Sequence, residues 1–400
     1  MPPEAPTPRT SGLGVVLAHI RSGDAVTRAT LAQRTGLARS TIAQRVDALL
    51  EGGLIYEAGD SASTGGRRPG LLAFNPRAGV ALTADLGATH SRLAVTDLAG
   101  VPLAEQAHDL VIAEGPDAVL GFVHDRFGEL LGAAGRGASE VVGIGIGIPG
   151  PVEFGSGRPV SPPIMPGWDD FDIPGWFDAR YPDAPVVVDN DVNIMALGEH
   201  WEAWRGVEHM LYVKVGTGIG CGIVSDGRIH RGAEGAAGDI GHIVVSDADD
   251  VVCRCGNTGC LEAVAGGHAL AGRLAAAGRG TSTSRDVVQL VLEGDPLAVR
   301  MVRDAGRALG EVLAACVNFF NPRVIVVGGD IGTVHEQLLA GLREVVIQRS
   351  LPLATRDLRI VTSQLGDRAG VVGGAIMVIE QLLSPGAVER SLLARADRAG

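Results

Sequence analysis

Three stretches of helical periodicity open the chain. Leu13, Val16, Leu17 and Ile20 recur at i, i+3, i+4 and i+7 and predict one buried helix face. A short helix from Arg28 to Thr35 turns Leu31 inward, Gly36 supplies a tight turn, and Leu37 plugs the core. A third helix, roughly Ser40 to Glu51, buries Ile42, Val46, Leu49 and Leu50. Its other face carries Arg39, Ser40, Thr41, Gln44 and Arg45, side chains suited to base edges and phosphates. This is a helix-turn-helix pattern. Ala38 stands where a Ser or Thr cap is common, so either the cap moves to Ser40 or the helix starts about 1 kcal/mol weaker. Leu54–Tyr56 and Leu71–Phe74 alternate as strands around Gly65-Gly66-Arg67-Arg68-Pro69. They predict a wing whose Arg67 and Arg68 enter a minor groove. The alternative is a three-helix packing module with a solvated loop.

Beyond residue 76 the pattern changes to buried strands, glycine turns and helices. In 79–109 a strand ends in Asp85-Leu86-Gly87-Ala88-Thr89, a second covers Arg92–Thr96, and a turn follows at Asp97-Leu98-Ala99-Gly100. The stretch 211–230 repeats the plan at an offset of 129 residues, with Gly87 on Gly216 and Asp97 on Asp226. Two lobes of common construction would face a cleft, where ligands usually bind. The turns at Gly87 and at Gly216-Thr217-Gly218 suit phosphate, because glycine lets backbone amides approach an anion. Asp85 is placed to hold a hydrated Mg²⁺, Thr89 and Thr217 to donate hydroxyls, and Gly328-Gly329 after the strand Val324–Val327 to pack a flat nucleoside. Plain hairpin turns would look the same. Pro185–Val188 is a buried strand ending in Asp189-Asn190-Asp191; taken alone the run reads first as a cap, by Asp189 or Asn190, of the helix that follows, and its adjacent Asn and Asp also suit carbohydrate hydroxyls. Met301–Phe320 carries a long apolar stripe (Val302, Leu309, Val312, Leu313, Cys316, Phe320) read as core.

Composition sharpens this. The 400 residues are 46% apolar and 20% charged, which fits two or three folded domains. Net charge is −12, but residues 1–75 carry +2 and the rest −14. That excludes a protein that coats nucleic acid by bulk charge and leaves room for a small DNA-reading module on an acidic body. Lys214 is the only lysine; every other basic residue is arginine, which reads as codon bias. No window approaches the ~20 apolar residues that span a bilayer, and the N-terminus lacks a basic segment, so a cytoplasmic protein without membrane contact is expected. Three of five cysteines, Cys253, Cys255 and Cys260, fall within eight residues. With His242 they complete a tetrahedral Zn²⁺ shell; redox activity or a fortuitous cluster is the alternative.

Several motifs together resemble the ROK (repressor, open reading frame, kinase) family. They are Cys-x-Cys-Gly-x-x-Gly-Cys-x-Glu at 253–262, Gly241-His242, Asn190-Asp191, the run Gly143–Pro151, Asp85-x-Gly87-x-Thr89 and Gly216–Gly220. The resemblance implies an α/β fold: an N-terminal winged helix-turn-helix (1–75) followed by a two-lobed, actin-like ATPase fold of the sugar kinase/Hsp70 type. The first lobe would cover 76–188, completed by a C-terminal helix at 369–385, and the second 189–368 with zinc knot and sugar site. It implies that Asn190, Asp191, Asp239, His242 and Glu262 hold sugar, with Asp191 matching the kinases' catalytic base. It also implies that His242, Cys253, Cys255 and Cys260 hold a structural Zn²⁺. Members with the DNA-binding head, such as xylose and N-acetylglucosamine repressors, are sugar-responsive regulators; those without it are typically kinases. The implied partners are a small sugar effector and a palindromic operator read through major groove and wing, by a homodimer or homotetramer. ATP and Mg²⁺ enter only if the chain is a kinase. Three departures from the kinases stand out: Ala88 and His90 replace a glycine and a lysine, Asp239 replaces a glutamate, and Asp330 follows the glycine pair.

Overall fold

In the computed structural model, which describes residues 12–23, 27–60, 70–246, 248, 250–384 and 387, three helices come first: α1 (Gly12–Arg21), α2 (Arg28–Thr35) and α3 (Arg39–Glu51). Val16, Leu17, Ile20, Leu31, Ile42, Val46 and Leu49 form their shared core. Ile55 and Leu72 join it from the antiparallel pair β1 (Ile55–Asp60) and β2 (Gly70–Phe74). Thr27 caps α2, its hydroxyl accepting from the Thr30 N–H, and Gly36 ends that helix in the left-handed region. The third helix starts with Ala38 at its N-cap and no side-chain cap, so the cap does not move to Ser40. Arg28 ties α2 to α3 and β1 through Asp47 (3.3 Å) and Glu57 (3.0 Å). Arg67 and Arg68 lie outside the described residues.

The body begins with β3 (Val80–Leu86), β4 (His90–Asp97), β5 (Pro102–Asp109), α4 (Pro116–Ala133) and β6 (Val141–Ile148). The short pair β7 (Val152–Glu153) and β8 (Arg158–Pro159), α5 (Ile173–Asp178), β9 (Val186–Asn190) and α6 (Asp191–Ala203) follow. The second half contains β10 (Met210–Val215), β11 (Ile219–Ser225), β12 (Arg228–Ile229), α7 (Leu261–Ala265), α8 (Gly267–Ala276), α9 (Ser284–Leu292) and α10 (Pro296–Phe320). It ends with β13 (Val324–Gly328), α11 (His335–Arg349), α12 (Pro352–Thr355), β14 (Arg359–Thr362) and α13 (Ala369–Leu382).

One sheet runs β5-β4-β3-β6-β9 and the other β12-β11-β10-β13-β14. Counted within each sheet, both follow the order third, second, first, fourth, fifth. The glycine turns at Gly87 and Gly216 follow the first strand of each, so the weak sequence repeat is a repeat of architecture. The long apolar helix α10 buries Val302, Leu309, Val312 and Leu313, whereas Phe319 points out.

Helices α6 and α13 pack side by side next to the first sheet. Their contact needs glycine on both sides. A methyl group on Gly373 would overlap the Ile194 carbonyl oxygen, and one on Gly198 would overlap that of Ala369. Buried Glu199 on α6 accepts from Ser363 Oγ (2.7 Å) and from the Gln364 (2.7 Å) and Leu365 (3.2 Å) amides, fixing the helix to the chain beyond β14. Among the described residues, no helix is long and apolar enough to cross a membrane.

Candidate functional site

A cavity of about 180 Å³ opens between the two sheets where β9 meets α6. Asn190, Asp191, Asp239, His242 and Glu262 all line it, together with Thr217 and Gly218 from the second glycine turn. The geometry begins with a helix start. Asn190 is the N-cap of α6: its Oδ1 accepts from the Val192 N–H (2.9 Å), and its Nδ2 donates to the Gly150 carbonyl (3.1 Å). The cap and the cavity lining are thus the same residue. Asp191, buried in the first turn, projects its carboxylate toward the cavity at the positive end of the helix dipole. Glu262 accepts from the Ile219 N–H (3.0 Å), which orients it across the second glycine turn.

Asp189 is turned away from this role. It is buried, pairs with Arg231 (2.7 Å) and accepts from Asn193 (2.8 Å), while Arg231 stacks on Phe154 (3.7 Å). This clamp joins the end of the first sheet to the loop after β12. Asp189 stands out in the sequence only as part of the Asp189-Asn190-Asp191 run, and Arg231 carries no sequence signal.

Beside the cavity, one ligand atom from each of His242, Cys253, Cys255 and Cys260 lies within 4.8 Å of every other. The Nδ1 atom of His242 faces Cys253 Sγ (3.6 Å), and Cys255 Sγ lies 3.7 Å from Cys260 Sγ. The Nε2 atom is turned the other way, 3.9 Å from the Asp239 carboxylate. One imidazole thus faces the cysteines with one nitrogen and the cavity side with the other. A four-ligand set of soft sulfur and imidazole nitrogen fits a metal ion. The thiols differ sharply: the Asn257 amide brings Cys255 down to about 7, whereas burial pushes Cys260 up to about 12.

A second, smaller cavity, about 60 Å³, is lined by Asp85, His90, Arg92, Lys214, Gly216, Arg285, Gly329, Asp330 and Asp367. Burial pushes Asp85 up to about 7, and its Oδ1 is enclosed without a hydrogen-bond partner among the described residues. Asp330 accepts from Ser284 Oγ (2.6 Å) and adds negative charge where a phosphate would sit. Three further turn residues, Thr89, Gly87 and Gly328, are expected near phosphate or nucleoside. Thr89 is exposed in its turn, where its carbonyl accepts from the Leu110 amide. Gly87 is packed against His90, and Gly328 leaves room for the Tyr212 hydroxyl. None of the three lines either cavity.

Sequence reasoning also missed Lys214. Its ammonium lines both cavities and lies 2.5 Å from Asp191 Oδ2. Burial pulls it down, but Asp191 and Asp85 outweigh that and hold it above its ordinary value.

At the other end of α6, Trp201 receives Arg21 of α1 over its ring (5.1 Å). Leu383, just past α13, packs on both the head core and the α6–α13 core. On α3, Arg39, Ser40 and Gln44 are exposed and Thr41 and Arg45 half-buried.

The sequence pattern of the ROK family matches residues 81–381. A putative xylose repressor of Caldicellulosiruptor sp. (strain Rt8B.4) is 34% identical over 384 residues, covering 92% of this chain and 96% of its own. A crystallised ROK family transcriptional regulator, a homologue of the E. coli MLC protein, superposes with a TM-score of 0.81 at 28% identity, over 96% of this chain and 99% of that one. A ROK glucokinase from Streptomyces griseus, solved with glucose and AMPPNP, reaches a TM-score of 0.64 at 27% identity, over 75% of this chain and 99% of its own.

Proposed function

The chain belongs to the ROK family, and from that premise we propose that it is a sugar-responsive, DNA-binding transcriptional regulator, a repressor of carbohydrate uptake or metabolism genes acting in the cytoplasm. The observation that carries this reading is α6: its first turn lines the larger cavity, and its last turn meets the DNA-type head through Trp201 and Arg21. Thirteen residues at about 1.5 Å each make this a rod of roughly 20 Å.

In this reading Asp191, Asp239, Glu262 and His242 Nε2 hold sugar hydroxyls, and Asn190 sets their frame. His242 Nδ1, Cys253, Cys255 and Cys260 would hold a structural Zn²⁺, which anchors the segment from Asp239 to Glu262 when bound. Asp191 at the start of α6 and Glu262 beside the second glycine turn line the same cavity between the two sheets, so a sugar that engages both would favour one closure of the lobes. Closure moves α6 and the head it touches. In a homodimer or homotetramer that changes the spacing of two α3 helices on a palindromic operator. Arg39, Ser40, Thr41, Gln44 and Arg45 face the major groove, with Arg67 and Arg68 in a minor groove. The residues that would hold magnesium and ATP support the alternative, a sugar kinase with a DNA-binding head, less well: Asp330 adds negative charge to the smaller cavity, and Ala88 lines the larger one.

A gel-shift titration of the chain's own promoter region, with and without a panel of sugars, tests the proposal. One sugar should change operator affinity about 5–150-fold. If no sugar changes it, the sensing role is wrong.

A further inference from the structure

The one lysine among 400 residues sits where the sugar cavity and the smaller cavity meet. Its side chain is 14% exposed and its partner Asp191 5%. A chain that uses arginine everywhere else keeps a compact, rotatable ammonium at this single point. A planar guanidinium is longer and donates in a fixed fork, so the two are not interchangeable in so small a space. Asp85, His90 and Asp330 border the same ammonium from the smaller cavity.

The pairing constrains what Asp191 can do. One carboxylate oxygen, Oδ2, is taken by the ammonium; the other is left for a ligand. A proton moved from a sugar hydroxyl onto this carboxylate would discharge it and strand a buried ammonium without its counter-charge, which is strongly unfavourable. Accepting a hydrogen bond from that hydroxyl, with the proton staying on the sugar, keeps the pair intact.

We propose that Lys214 is the positioning residue of the sugar pocket: paired with Asp191, it makes that carboxylate a fixed acceptor for a sugar hydroxyl and keeps it from removing the hydroxyl proton, so that the pocket binds a neutral sugar and releases it unchanged. This rests on the sugar-sensing reading above and names the residue that separates sensing from phosphoryl transfer.

Because the lysine is unique, full-length protein labelled with ¹³C,¹⁵N-lysine gives one lysine side-chain signal. The protein is titrated separately with D-xylose, D-glucose and N-acetyl-D-glucosamine, with calorimetry in parallel and ³¹P spectra in the presence of MgATP. The sugar that binds is expected to move the lysine signal, and Asp191→Asn to abolish that movement. Lys214→Met is expected to weaken the same sugar by at least about tenfold, and no sugar phosphate should accumulate with the wild type. A sugar that binds without moving the lysine signal, unchanged affinity in folded Lys214→Met, or catalytic formation of sugar phosphate overturns the inference. If Lys214→Met does not fold, the wild-type lysine signal decides. If no sugar binds, the sensing reading fails and this inference with it, an outcome distinct from bound sugar with a silent lysine.

Discussion

A carboxyl group enclosed at a strand end is charged only at a cost, and Asp85 shows what that does to the fold. Burial lifts it to about 7, above the 3.8 of an unfolded chain, although Lys214 pulls the other way. Between about pH 4 and 7 the folded state therefore keeps a proton that the unfolded chain has lost, so stability falls as pH rises through that window, by at most about 4 kcal/mol. Asp85→Asn removes the penalty. Its melting temperature relative to the wild type should rise from pH 5 to pH 8; an equal difference at both pH values contradicts the assignment. The metal cluster gives a second residue-scale prediction. Cys255 is the exposed member of the set, yet its thiolate would complete the shell around a buried pair. Cys255→Ser should lose stoichiometric zinc, melt earlier and bind sugar more weakly, because His242 would no longer be fixed between metal and cavity. Full zinc content by elemental analysis would refute it. The cysteine spacing made this cluster readable in advance, since metal chemistry demands particular residue types. Lys214 was not readable, because one lysine carries no spacing; its meaning comes from β10 bringing it to Asp191, 23 residues earlier in the chain.

Elements were more legible than their joints. The head helices follow from periodicity and from the turn at Gly36, and the two glycine turns from their offset of 129 residues, because each depends on neighbours in sequence. The contact of α6 with α13 depends on residues about 175 positions apart, and Gly198 and Gly373 announce nothing by themselves. A side chain at Gly373 must displace backbone, not a flexible tip. Gly373→Val should therefore destabilise the protein by about 3 kcal/mol or more, visible as a lower urea midpoint; a midpoint unchanged from the wild type would mean that the helices separate easily. Trp201 tests the other property of α6, its reach. Arg21 Nη2 is enclosed at this seam without a hydrogen-bond partner among the described residues, and the guanidinium meets the Trp201 ring and the charge of Glu380 there. Trp201→Ala should leave sugar affinity near the wild-type value while shrinking the sugar-dependent change in operator affinity. Loss of sugar binding instead would place Trp201 in the stability of α6 and not in its signal.

For the whole molecule, the sensing reading makes a thermodynamic demand that no single residue does. In that reading sugar binds at the start of α6 and operator on the head that meets its end, and any effect of one on the other is a coupling free energy shared by both. If a saturating sugar weakens operator binding by some factor, saturating operator must weaken sugar binding by the same factor. The acidic body does not interfere with this comparison, because its charge of −14 is present in both states. Salt does interfere: in this reading, phosphate contacts from the head would make operator affinity fall steeply with ionic strength, so both isotherms must be taken in one buffer. Sugar binding is then measured by calorimetry on the free protein and on the operator complex, and operator binding by fluorescence anisotropy with and without sugar. Equal factors identify one two-state molecule in which lobes and head move together. A sugar that alters operator affinity without its own affinity responding to operator would violate the cycle. It would mean that the sugar acts by changing the assembly of subunits, a process that both measurements would then reveal through dependence on protein concentration.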